Sequence, residues 1–240
     1  MKKWNGLSGF DLKLLAMVMM LCDHMWVAIV PGNNWMTCIG RLAFPIFAYQ
    51  IAEGWTHTTD RTKYRRRVLM WALISELPFN LLAAGGFIYP FHQNVMFTFW
   101  ISMLLMGILD RGEGKGGLSY GLRAAAVMVL GYFLGFVLFV DYYGYGVVMV
   151  LVFYLAQKVP YGWLVQLLGI GYINLFMMKG LVYPISLFGL EWNFPQQGFA
   201  LLALPLIWMY NGSPGTRNKA ARRLGYAFYP VHMLILALLR

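Results

Sequence analysis

The feature that most constrains the fold of this chain is a series of apolar stretches, each about as long as a bilayer is thick. Residues 14–30, LLAMVMMLCDHMWVAIV, form the first of them. Of the 240 residues 60% are hydrophobic and 12% are charged, whereas a soluble domain is about half apolar and a quarter charged. Because stretches of this length cross a hydrocarbon core of about 30 Å, the sequence predicts a polytopic membrane protein.

The apolar stretches predict an all-α transmembrane helical bundle that forms a single domain over residues 1–240. We expect about nine spans, with eight to ten as the range that the pattern allows. They lie at residues 12–30, 36–53, 68–86, 94–109, 124–140, 145–157, 162–178, 198–210 and 225–239. The stretch 180–197 is apolar enough to form a re-entrant or interfacial piece.

The net charge of +10 indicates topology and not nucleic-acid binding. With the N terminus on the cytoplasmic side, 15 of the 19 Lys and Arg residues fall in inner segments, as the positive-inside rule requires. The expected partner is therefore the lipid bilayer. Two cysteines exclude a disulfide framework, and no metal site is expected because the four histidines and two cysteines are scattered without ligand spacing.

Ionisable residues interrupt the predicted spans at similar depths. A charged side chain in the bilayer costs several kcal/mol, so such residues are candidates for a functional site. At a rise of about 1.5 Å per residue, three of them lie roughly 8–11 Å beneath the outer surface: His24, Arg41 and His232. Glu76 lies deeper, and Asp141 is at the outer end of a span.

Adjacent helical residues point about 100° apart, so Asp23 does not face His24. We expect Asp23 to pair with Arg41 on the next span, and a carboxylate from Glu76 or Asp141 to orient the ring of His24. Purely structural roles remain open for each: an Asp–Arg pair that locks two helices, a histidine that only packs, and an aspartate that caps a helix end.

Several segments of the chain resemble, in order, the TraX family. They are FDLKLLAMVMMLCDHMW, IGRLAFPIFAYQIAEGWTHT, ALISELPFNLL, QNVMFTF, DYYGYGVVMVLVFY, YNGSPG and FYPVHMLIL, and they extend from about residue 10 to 238. Cys22 displaces the leucine that usually precedes the Asp-His pair. That family is named for a bacterial inner-membrane protein that N-acetylates conjugative pilin, and it distantly resembles larger multi-pass acyltransferases with an intramembrane histidine.

The resemblance implies a multi-pass acetyltransferase of the bacterial inner membrane, with acetyl-CoA as donor. The acceptor would be a peptide amine, as in pilin, or a surface amine or hydroxyl. The residue that fits the intramembrane histidine of those larger acyltransferases is His24, which is the expected base, a role worth about 10²–10⁴ in rate. Arg41 is expected to stabilise the oxyanion or to fix the donor, and Asn94 and Thr98 to offer further hydrogen-bond donors. Direct transfer and an acetyl-histidine intermediate both remain open.

A basic run on the inner face is expected to bind the phosphates of CoA. It consists of Arg61, Lys63, Arg65, Arg66 and Arg67. Two other functions use the same features: a small proton-coupled transporter, built on the buried Asp, His and Arg, and an assembly scaffold in which those residues only join helices. The transporter lacks support from a two-fold repeat of spans, and the scaffold does not account for polar residues gathered at one depth.

Overall fold

A computed structural model describes residues 6–112, 117–178, 180–187, 189–216 and 219–240. The chain is mostly helical. Its α-helices are α1 (Gly9–Ala28), α2 (Asn34–Gly40), α3 (Ala43–His57), α4 (Arg61–Ala84), α5 (Val95–Asp110), α6 (Gly117–Val137), α7 (Tyr143–Ala156), α8 (Gly162–Tyr172), α9 (Ala203–Trp208) and α10 (Lys219–Leu239). A π-helical turn (Ile173–Met177) extends α8, and a 3₁₀ segment (Gln196–Leu202) precedes α9.

Three of the long helices, α1, α4 and α5, begin where a side chain satisfies a free backbone N–H group. Ser8 and Asp11 form a capping box at α1, where each side chain accepts from the other's backbone. Asp60 accepts from the Lys63 amide at the start of α4, and Asn94 accepts from Met96 at the start of α5. Each of the predicted apolar spans overlaps at least one helix. The second span is split, because the chain breaks between α2 and α3 at residues 41–42.

The all-α fold class is wrong in one respect, while the expectation of a re-entrant or interfacial piece at residues 180–197 stays a prediction. Strands β1 (Val182–Leu187) and β2 (Leu190–Pro195) form an antiparallel hairpin there, with Val182 opposite Pro195 and Leu187 opposite Leu190. A hairpin satisfies the backbone of this connecting segment, in which Pro184 and Pro195 disfavour a continuous helix. Lys2, Lys3, Lys115, Lys179 and Arg217, which entered the topology prediction, lie outside the described residues.

Helix α7 lies at the centre of the bundle and packs against α3, α5 and α6. Its side chains Val147, Met149, Val150 and Leu151 are fully buried. A second, smaller core joins α4 to α10 through Phe79, Leu82 and Met233. This second core also receives Met20, Leu21 and Met25 of α1, so the first and last long helices of the chain are neighbours.

Two helices within the described residues, α4 and α6, are long enough and apolar enough to cross a membrane. Shorter apolar helices accompany them, among them α5, α7 and α8 with its π-helical extension. The composition of α4 and α6 indicates membrane association, while the count of nine spans stays a prediction.

Candidate functional site

The polar residues predicted at one depth form two separate groups around α1. His24 and Asp23 are consecutive on α1, but they contact different helices: His24 meets α10, and Asp23 meets the segment of α2 and Arg41. The expected divergence of adjacent helical side chains is confirmed.

His24 and His232 form a hydrogen-bonded pair, hereafter the histidine pair. His24 Nδ1 lies 2.7 Å from His232 Nε2, and the two rings are nearly parallel, with 7° between their planes and centroids 4.9 Å apart. On the far side of His232, the ring of Phe228 stacks with its centroid 4.5 Å away. His232 is 5% exposed. The expected partner of His24, a carboxylate from Glu76 or Asp141, is thus replaced by a second imidazole.

The hydrogen bonds of the histidine pair fix where the protons lie. His232 Nδ1 is 2.6 Å from the carbonyl oxygen of Phe228, which can only accept, so His232 carries its proton on Nδ1. Its Nε2 is therefore an acceptor, and the proton between the rings belongs to His24 Nδ1. His24 Nε2 is left with a lone pair and has no hydrogen-bond partner among the described residues. A neutral imidazole with an open Nε2 is the form that a general base requires.

Asp23 and Arg41 pair as the sequence predicts. Arg41 donates to Asp23 Oδ1 at 2.5 Å, and the hydroxyl of Thr37 donates to the same oxygen at 2.6 Å. Arg41 also donates from Nε to the Thr37 carbonyl at 3.2 Å. The Asp23 and Arg41 side chains are 17% and 16% exposed. This cluster joins α1 to the break between α2 and α3, and it occupies most of the donors that Arg41 offers.

Gly40 makes the close approach of α2 to α1 possible. A Cβ atom at this position would lie 2.4 Å from the Cβ of Asp23, a distance that no side chain tolerates. Gly40 is also directly before Arg41, so the residue that brings the helices together sets the position of the guanidinium.

Glu76 and Asn94 hold α4 against the start of α5. Asn94 Nδ2 donates to Glu76 Oε2 at 2.5 Å and to the Ala72 carbonyl at 2.9 Å, while Asn94 Oδ1 caps α5. Asn94 is fully buried. Neither residue contacts the histidine pair, so the structure gives Glu76 and Asn94 a role in joining helices.

Thr98 and Asp141 join α5 to the loop before α7. The Thr98 hydroxyl donates to the Asp141 carbonyl at 2.6 Å, and Asp141 Oδ1 accepts from the Tyr142 amide at 3.0 Å. The same carboxylate oxygen is 3.3 Å from His92 Nε2. This hydrogen bond raises the pKa of His92, against the opposite effect of burial. The structure does not bring Thr98 or Asp141 to His24.

A cavity of about 800 Å³ lies beside α1. At one end it is lined by Lys13 and Arg67, together with Thr216 from the loop before α10. At the other end its wall includes Met20 and Phe228. From Gly9 to Met20 the wall follows α1 for about 16 Å.

The deep end of the cavity lies one helical turn from the histidine pair. Met20 precedes His24 by four residues, and Phe228 precedes His232 by four residues. On an α-helix that spacing places residues on one face about 6 Å apart along the axis. The cavity therefore leads toward the pair from the end of α1 where the helix begins.

The predicted basic run does not act as one cluster. Arg61 forms an ion pair with Asp110 at 2.8 Å, and the same carboxylate accepts from the Trp55 indole at 3.0 Å. Arg67 lines the cavity, with its guanidinium over the rings of Tyr64 and Tyr226. The remaining three do not line the cavity and are exposed or half-buried: Lys63, Arg65 and Arg66.

No group of three or more His, Cys, Asp or Glu side chains suited to a metal ion occurs among the described residues. Cys22 and Cys38 are both free thiols.

Known proteins with similar sequences bear on these observations. Residues 8–240 match the family model described as TraX protein. The chain is 26% identical over 249 residues to the probable fimbrial assembly protein FimC, serogroup H1, of Dichelobacter nodosus, which covers 95% of this chain and 94% of that protein. It is 23% identical over 146 residues to protein TraX of Escherichia coli, with 54% and 57% covered. No solved structure gives a significant match.

Proposed function

The chain belongs to the TraX family, and we propose that it is a membrane-embedded acetyltransferase that moves an acetyl group from acetyl-CoA to an acceptor amine or hydroxyl. The observation that carries this proposal is the histidine pair, which presents one open, unprotonated imidazole nitrogen near the end of a cavity of about 800 Å³.

The proposal includes a multi-pass arrangement in the bacterial inner membrane, with the N terminus cytoplasmic. The outer faces of the helices support it, because several large apolar side chains on them are at least 60% exposed. Examples are Leu73, Phe133, Leu168, Phe176 and Leu238. Backbone contacts agree with the proposed sides: Leu7 pairs with Tyr210 at one end, and Gln93 pairs with Val140 at the other.

In the proposed reaction His24 Nε2 accepts the proton of the attacking amine or hydroxyl. The acceptor atom bonds to the thioester carbonyl carbon, and the carbonyl electrons move to oxygen in a tetrahedral intermediate. When that intermediate collapses, the carbon–sulfur bond breaks, and the proton held by His24 passes to the departing thiolate. A base positioned in this way contributes about 10²–10⁴ in rate.

His232 has the role that a carboxylate has in other His-centred sites. It accepts from His24 Nδ1, which keeps the lone pair on Nε2 and fixes the plane of the ring. Because His232 is itself neutral, the pair adds no net charge to the bilayer before the proton arrives, which limits the cost of burying it.

Arg41 is proposed to stabilise the oxyanion in part. Its contacts to Asp23 and Thr37 use Nε and one terminal nitrogen, and the other terminal nitrogen has no partner among the described residues. A guanidinium already paired to a carboxylate is a weaker electrophile, so we assign the larger share of catalysis to His24.

The cavity is proposed to admit acetyl-CoA from the cytoplasmic side. Basic residues lie at one end of it, and its deep wall approaches the histidine pair. One relative is named as a probable fimbrial assembly protein, and we propose a pilus or fimbrial subunit as acceptor, with a neutral N-terminal amine as the nucleophile that such a subunit would offer.

The test is acetyl transfer by purified protein in lipid, with wild type beside His24→Ala. Acceptors are an Ala-initiated peptide and a panel of amines and hydroxyls, and the readouts are free CoA and the mass of each acceptor. We expect acceptor-dependent CoA release by wild type and a loss of about 100-fold or more in the variant. The mass of the protein itself reports an acetyl-histidine intermediate. Absence of release with every acceptor would overturn the proposal, and saturable, proton-gradient-sensitive uptake would then favour the transporter.

A further inference from the structure

At the end of the cavity lined by basic residues, two cationic side chains contact the same aromatic ring. Lys13 Nζ lies 5.4 Å from the ring centroid of Tyr226, and Arg67 Cζ lies 5.2 Å from the same centroid. The three residues come from α1, α4 and α10, and all of them line the cavity. Attraction between a cation and a ring face holds each positive group in place without cancelling its charge.

Arg67 differs from Arg61, at the other end of the basic run, in how its charge is held. It also lies over the ring of Tyr64, with the guanidinium carbon 5.1 Å from the centroid, and it has no carboxylate partner within the described part of the chain. Arg61, six residues earlier, forms an ion pair with Asp110 at 2.8 Å. The charge of Arg67 is therefore held but uncompensated.

Tyr226 is itself fixed on its other neighbours. The ring of Trp71 stacks with it at a centroid distance of 6.0 Å and 11° between planes. The acidic residue on the cavity wall, Glu53, is engaged elsewhere: it is 3.4 Å from His57 and hydrogen-bonds to Tyr210. The two cations therefore line the cavity beside a tyrosine ring that Trp71 holds in place.

We propose that Lys13 and Arg67 form an anion site that binds a phosphate of the acyl donor at the mouth of the cavity, with Tyr226 as the positioning residue. This inference rests on the proposed function. It assigns Lys13 a role that no sequence pattern indicated, and of the five residues in the basic run it keeps Arg67 alone.

The assignment agrees with the dimensions of the cavity. The donor has its phosphates at one end of a long flexible arm and its thioester at the other. With a phosphate at Lys13, the arm would follow α1 toward Met20, which is seven residues further along, or about 10 Å. The α1 residue that lines the cavity between them, Met17, is apolar, which suits an arm and not a second charged group.

Binding of coenzyme A is the direct test, and Arg66→Ala is the matched control because Arg66 is adjacent, has the same charge and does not line the cavity. The proteins would be held in nanodiscs of phosphatidylcholine alone, and the dissociation constant measured by calorimetry. We expect Arg67→Ala and Lys13→Ala each to weaken binding about tenfold, and Arg66→Ala less than about twofold. Pantetheine, which lacks phosphate, should bind wild type and Arg67→Ala equally.

The outcomes separate this inference from the proposed function. If wild type binds no coenzyme A, the proposed function fails, and the inference with it. If wild type binds and Arg66→Ala weakens binding as much as Arg67→Ala, the anion site is wrong and the proposed function stands. An anionic headgroup shares the phosphate chemistry, so phosphatidylglycerol is added in a second series. If Arg67→Ala changes only the effect of that lipid and not coenzyme A binding, the donor assignment is overturned.

Arg67→Lys guards against a variant that fails to fold. It keeps the charge at the ring of Tyr226 but loses the planar group, so we expect affinity between those of wild type and Arg67→Ala. Equal affinity of Arg67→Lys and Arg66→Ala, together with unchanged binding in Lys13→Ala, would also contradict the anion site.

Discussion

Asp23 and His24 are neighbours on α1, yet they differ in what their contacts leave open. Asp23 accepts from Thr37 and Arg41, which fastens α1 to the break between α2 and α3. His24 is fastened through Nδ1 alone, and its Nε2 remains without a partner among the described residues. The presence of an ionisable residue within an apolar helix is therefore only a weak sign of a catalytic role. A stronger sign is a side-chain atom that the fold holds in position without giving it a hydrogen-bond partner.

The largest effect on stability should come from Asp23→Ala. The substitution leaves the guanidinium of Arg41 largely buried without its carboxylate, and breaking a buried pair in this way costs about 3–5 kcal/mol. Unfolding of the purified protein in detergent micelles by heat or denaturant would measure the loss.

A double variant, Asp23→Ala with Arg41→Met, removes both charges and serves as the control. It should recover much of the stability, because no unpaired charge remains. If Asp23→Ala were as stable as wild type and inactive, Asp23 would belong to the reaction and the comparison between the two neighbours would not hold.

His92 provides a smaller, complementary effect, as a histidine whose partner is a carboxylate. The hydrogen bond that His92 donates to Asp141 raises the pKa of His92, so the folded protein holds this proton more tightly than the unfolded chain does. The resulting stability is fully present below about pH 6.5 and is lost as the pH rises through the folded-state value above it.

Unfolding midpoints of wild type and His92→Gln between about pH 5.5 and 8.5 would measure that dependence. Wild type should lose stability relative to the variant across this window, by less than about 1 kcal/mol because the pair is partly exposed. If the stability of wild type relative to His92→Gln instead rose with pH, the carboxylate would not be holding the protonated ring.

Hydropathy predicted where the helices lie, because an apolar stretch between polar segments has few alternatives to a helix when the backbone must bond to itself. The all-α fold class fails at β1 and β2, where a similarly apolar stretch forms a hairpin. The difference lies in the pairing of Val182 with Pro195 across a turn, and hydropathy does not contain pairing.

The candidate site was predictable to the extent that depth determines it. Asp23 and Arg41 lie on consecutive spans at matching depth, and they pair. Equal depth also placed His24 and His232 in one layer, but the chain separates them by 208 residues. Only the fold shows that α1 and α10 are adjacent, so a carboxylate was expected where the structure has an imidazole. The matching depths were the one signal for this pair.

The role of the histidine pair is tested most directly by the turnover number of acetyl transfer in His232→Leu beside His232→Gln. Leu removes the acceptor that fixes His24, so kcat should fall by a large part of the about 10²–10⁴ that the base contributes, with the KM for acetyl-CoA unchanged. The side-chain oxygen of Gln can accept from His24 Nδ1 and should restore part of kcat. Full activity in folded His232→Leu, or equal losses in both variants, would contradict the assignment of His24 Nε2 as a base held by His232.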